Sequence, residues 1–214
     1  MEKMVELIWP ELLNTLIMVV PSTILAVLIG FIPAIILTIT DKDGLRPNQG
    51  IYKIVDFIIN TLRSFPFIIL MVAIIPFTRL LVGTSTGVYA AIVPLTVATF
   101  PFVSRIVESS LKEVDKGVIE AAKSFGASNS QILFKVMFKE AVPSIVSGIT
   151  LTVISLIGYS AMAGTIGAKG LGDLAVRYGF QRFQTDVMVC TVIVLIILVQ
   201  VLQSLGNYLY KKLS

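Results

Sequence analysis

The chain has 214 residues, 56% of them hydrophobic and 14% charged, and a formal net charge of +4. With no histidine and a single cysteine, Cys190, it excludes serine–histidine–aspartate catalysis, imidazole-ligated metal sites and any disulfide within one chain. The apolar residues gather in long uncharged runs, which marks an all-α multi-pass membrane protein with no room for a separate soluble domain.

In chain order, Met1–Glu11 is a short flanking segment with Trp9 placed as an interfacial aromatic. A first span is expected over about 12–39, too long for a cleaved leader and therefore retained. Gly44, Pro47, Asn48 and Gly50 mark a polar loop. Ile54, Ile58 and Leu62 then recur at four-residue spacing and predict a helix that leads into a second span, over about 64–82, restarting near Pro66. Gly83–Gly87 reads as a tight turn. Further spans are expected over about 87–107, 142–165 and 186–208, the last two joined by a Gly-rich loop, Gly164–Gln184. The whole chain is one transmembrane domain, 1–214, of five spans. Twelve of the 17 Lys and Arg residues fall on the side of the C-terminus and five on the side of the N-terminus. That bias predicts the N-terminus outside and the C-terminus inside.

The polar stretch 105–140 carries the sharpest local signals. Asp115 fits a helix N-cap and Gly126 the left-handed position that ends a helix, so Glu120, Ala121, Ala122 and Phe125 share a short helix. Ser128-Asn129-Ser130-Gln131 fits a capping box that opens a second short helix, running toward Glu140 and Pro143. Two short helices around a glycine corner suit docking. Ala121 and Ala122 permit close approach of a partner backbone, Glu120 offers a carboxylate, and Phe125 an aromatic anchor. By composition alone the segment reads more readily as an ordinary amphipathic loop helix.

The string Glu120-Ala121-Ala122 with Gly126 four residues on resembles the EAA motif of ATP-binding-cassette (ABC) importer permeases. The second half departs from it, with Val136, Phe138 and Lys139 where that family has Ile, Leu and Pro. Arg63-Ser64-Phe65-Pro66-Phe67-Ile68-Ile69-Leu70, Ile75-Pro76-Phe77-Thr78-Arg79 and Gly158-Tyr159-Ser160-Ala161-Met162 resemble the methionine-importer branch, and the likeness runs from about Asp56 to Tyr208. The resemblance implies the type I importer permease fold, in a bacterial inner membrane, with the Glu120–Gly126 helix coupling to an ATPase. It implies as partners a second copy of the chain, two ATP-binding subunits and an extracellular binding protein or lipoprotein. ATP and magnesium would sit on the ATPase; this chain is expected to bind no cofactor, metal or nucleic acid and to be no enzyme. It further implies that Met162 helps close a pore, and Tyr159, Ser160 and Ser155 are candidates for its lining. No charged residue is expected buried in spans one, three, four or five, which suits an apolar solute.

Gly117–Ser124 comes within one residue of a phosphate-binding loop, with Ala122 in place of its second glycine, but it is helical and follows a span instead of a strand. Two other readings remain open: a sibling permease for a polar amino acid or osmoprotectant, and an ATP-independent channel or secondary carrier.

Overall fold

A computed structural model describes residues 2–214, and all the regular structure among them is helical. The first helix, α1, spans Glu2–Thr40 and contains Pro10, Pro21 and Pro33. At about 1.5 Å per residue it is roughly 58 Å long, well beyond a hydrocarbon core of about 30 Å. The flanking segment expected before Leu12 is thus part of the helix.

Helix α1 packs most extensively against α5 (Val88–Lys112). Ala26 and Ala34 are fully buried, and Gly30 lies midway between them. A side chain at Gly30 would meet the Phe100 carbonyl at 2.7 Å, so only glycine permits this approach. Ser104 donates to the Gly30 carbonyl at 3.0 Å and ties the two backbones together. One apolar cluster, containing Met18, Leu95 and Leu156, lies toward the Trp9 end. A second, containing Val107, Leu111, Ile132 and Leu133, lies toward the Lys112 end.

The second crossing is broken. Helix α2 (Gln49–Arg63) is capped by Asn48, whose side chain accepts from the Ile51 amide. It is followed by α3 (Phe67–Ala73), and the chain turns by 100° between them. Pro66 lacks an N–H and disfavours helical geometry in Phe65, which places the break there. Helix α4 (Ile75–Val82) completes the crossing and ends at left-handed Gly83. The expected restart near Pro66 is present, but the stretch 64–82 is two short helices instead of one.

Helix α5 runs through Arg105 to Lys112, so the first turns of the polar stretch belong to the span. Helix α6 (Lys116–Ser124) is capped by Asp115, and α7 (Asn129–Ala163) follows directly. The capping box at Ser128 and Gln131 forms as expected. The helix it opens does not stop at Glu140, however. A turn of wider π-type bonding over Ile132–Met137 carries it straight into the span, with Pro143 in its interior. Burial of Ile132, Leu133 and Met137 in the second cluster favours continuing the helix over breaking it.

The stretch 164–184, expected as a loop, is folded back and packed. Leu171 and Leu174, in the short helix α8 (Leu171–Leu174), are fully buried. Helix α9 (Thr185–Leu213) closes the chain. Only 11% of its most apolar stretch is buried, against 61% for α5, which makes α5 the central helix and α9 a peripheral one.

Candidate docking surface and path-lining face

Helix α6 is short but its position is fixed at both ends. Asp115 accepts from the amides of Gly117 and Val118 at 2.7 and 3.3 Å. At the other end Gly126 has φ +78°, and the amides of Gly126 and Ala127 donate back to Lys123 and Ala122 at 2.9 and 3.1 Å. This paired bonding needs a left-handed residue, for which glycine carries no penalty. Ile119 and Ala122 turn inward against the second apolar cluster. Val118, Ala121 and Phe125, at spacings of three and four, share the open face, and Phe125 is 91% exposed. Glu120 is exposed beside them. Of the two alanines expected to admit a partner, Ala121 is open, whereas Ala122 packs on the chain's own core.

A cleft of about 330 Å³ separates α6 from the turn after α1, lined by Asp41, Asp43, Lys112, Lys116, Glu120 and Lys123 among others. Asp41 is partly buried, which raises its carboxyl. The Lys112 ammonium at 2.7 Å, together with the Lys42 amide at 2.6 Å, outweighs this and holds it below the usual carboxylate range.

The residues expected at the pore separate into two sets. Leu151, Ser155, Gly158 and Met162 fall on one exposed face of α7 at spacings of four, three and four. Ser160 is on the opposite side, buried, with its hydroxyl donating to the Ile157 carbonyl at 2.7 Å. Tyr159 lies between the two and stacks on Phe67 at 4.9 Å between ring centroids, linking α7 to the start of α3.

Two polar clusters were missed by sequence reasoning. At the Trp9 end, Glu11 accepts from the Gly170 amide at 2.6 Å and from the Asn14 side chain at 3.0 Å, while the Thr15 hydroxyl accepts from the Leu171 amide at 2.9 Å. These contacts cap the folded-back segment. At the Lys112 end, Glu108, which lies just beyond the expected third span and in the stretch read as polar, is carried on the extended α5 and is only 3% exposed. Arg105 bonds one of its oxygens and Lys112 the other, each at 2.7 Å. Arg105 also reaches Asp56, and Asn60 at 2.9 Å, both on α2. Lys112 also reaches Asp41. The i, i+3 and i+4 spacing of Arg105, Glu108 and Lys112 was the available signal, but it does not reveal burial.

An all-helical, multi-pass chain with a pinned, exposed helix at one end and an open Leu151–Met162 face toward the other has the architecture of a membrane component of a transport system. The chain belongs to the family of binding-protein-dependent transport system inner membrane components, which matches residues 26–214. Within that family it is 47% identical over 201 residues to a probable D-methionine transport system permease protein, MetI, of Vibrio cholerae, covering 94% of this chain and 89% of that protein. It is 44% identical over 172 residues to the methionine import system permease protein MetP of Bacillus subtilis, covering 80% and 78%. The fold superimposes with a TM-score of 0.97 and 41% identity on a chain of the MetNI methionine ABC transporter, in a structure described as inward facing, and covers 100% of this chain and 99% of that one.

Proposed function

We propose that this chain is the membrane subunit of an ATP-driven methionine importer. The observation that carries the reading is the open Val118–Ala121–Phe125 face on a helix held rigidly by Asp115 and Gly126. An exposed apolar face on a fixed helix suits the docking of a partner and offers it an aromatic anchor. In this reading two copies of the chain pair, with the Leu151–Met162 faces of α7 lining the path between them. Met162 from each copy closes it, since a flexible thioether fills an irregular gap. Two ATP-binding subunits dock on the α6 helices, and a binding protein delivers methionine from outside. The N-terminus lies outside and the α6 side faces the cytosol of a bacterial cell, following the bias in Lys and Arg. ATP bound to the partners favours one orientation of the path over the other, which is the differential binding that any such cycle requires.

The test is uptake into liposomes containing the chain with its copurified ATPase and binding protein. ATP-dependent accumulation of methionine, displaced by unlabelled methionine and not by polar amino acids or betaines, is expected. Uptake without ATP would make the protein a carrier or channel, and displacement by another solute would reassign the substrate.

A further inference from the structure

Helix α2 is held to α5 by polar contacts far more than by apolar ones. Ile59 is its one buried residue, while Ile54, Phe57 and Ile58 are half exposed or more. The contacts run the length of the helix. Arg63 lies over the Phe102 ring at 5.0 Å, Arg105 reaches Asn60 and Asp56, and Lys112 lies over the Tyr52 ring at 5.1 Å. At the centre is Glu108. A carboxylate this deeply buried is costly unless both oxygens are paired. Here each oxygen holds a different cation, and each cation reaches on to a different element, Arg105 to α2 and Lys112 to Asp41 at the end of α1. Tyr52 of α2 adds its hydroxyl to the same Glu108 oxygen at 3.4 Å.

The same stretch of α5 is the root of the docking helix. Only Glu113, Val114 and Asp115 separate Lys112 from the start of α6. Val114 is buried in the second cluster, against which Ile119 of α6 also packs. A displacement of α6 is therefore delivered to the last turns of α5 through a short, packed connection. From there the polar contacts lead to α2, the lower half of the broken crossing.

We infer that Glu108 is a positioning residue for energy coupling, fixing Arg105 and Lys112 so that α2 moves as one body with the docking helix. This rests on the importer reading above. It adds that force reaches the broken crossing through a buried ion network, with the 100° turn at Ser64–Pro66 as the joint beyond it.

The test uses the full transporter in liposomes. Glu108→Gln keeps the shape of the side chain but removes its charge. The expected result is a complex of normal composition that still hydrolyses ATP, with solute moved per ATP lowered by at least about fivefold, and partial recovery in Glu108→Asp. An unchanged ratio in Glu108→Gln overturns the inference while leaving the importer reading intact. Absence of ATP-driven uptake by the unmodified protein would instead sink that reading. Should Glu108→Gln fail to assemble, the unmodified network is tested by distance. Spin labels at Lys53→Cys and Lys116→Cys, both exposed and the second off the docking face of α6, in a Cys190→Ser background, should keep one separation with and without a non-hydrolysable ATP analogue. A change larger than a helical turn, about 5 Å, overturns the proposal.

Discussion

The Glu11 carboxylate receives the backbone amide of Gly170 at 2.6 Å, joining the beginning of the first helix to a segment 159 residues later. Gly170 immediately precedes α8, so its amide lies outside that helix's own bonding and the carboxylate supplies its acceptor. Glu11→Ala leaves a partly buried donor unpaired, at a cost of about 1 to 3 kcal/mol. Hydrogen exchange at Gly170 and Leu171 should accelerate, with α5 unchanged. Thr15→Val should act on Leu171 alone.

Phe125 is the most exposed large apolar side chain, at 91%, on a helix whose position does not depend on it. Phe125→Ala should leave the thermal midpoint of the isolated chain unchanged. It should weaken association with the ATPase by about 2 kcal/mol, roughly thirtyfold in Kd, measured by titration of the detergent-solubilised subunits. Glu120→Lys should also weaken it by inverting a charge on the same surface. Ala122→Leu should behave differently and lower the chain's own stability, because Ala122 packs inward.

Met162 sits on the open face of α7 and is 43% exposed in the single chain. Met162→Ala should raise passive leak of solute from loaded liposomes and the ATP hydrolysed per solute moved. Ser160→Ala should not, because that hydroxyl is occupied within its own helix. Equal leak in both variants would remove the distinction between the two faces.

Asp41 titrates below its ordinary value because Lys112 and the Lys42 amide favour its charged form more than burial disfavours it. A carboxyl whose pKa is lowered on folding stabilises the fold above its unfolded value, near 4, and loses that contribution as pH falls through the folded value. The thermal midpoint of Asp41→Asn should therefore lie below that of the unmodified chain at neutral pH. The two should converge as the solution is acidified below about pH 4.

The sequence revealed those features that depend on neighbours along the chain. Asp115, Gly126 and the Ser128–Gln131 box act over three or four residues, and each cap forms as its spacing indicates. The long apolar runs were equally plain because membrane length filters them. What escaped detection was set by contacts between distant segments. Glycine spacing in 164–184 reads as a loop, since nothing local shows that Leu171 and Leu174 are buried or that Glu11 supplies their cap. Pro143 suggested a helix start, but the burial of Ile132, Leu133 and Met137 continues the helix through it. Glu108 resembled a surface charge because its burial is created by α1 and α2.

The contact of Gly30 with Phe100 and Val103 falls between the two apolar clusters, near the midpoint of α5. It leaves about 20 Å of α5 on the Val88 side and about 16 Å on the Lys112 side. A contact this tight resists sliding of one helix along the other, and so fixes their register near the middle of both lengths. A side chain placed there would wedge α1 and α5 apart at their middle, and so would loosen both apolar clusters together.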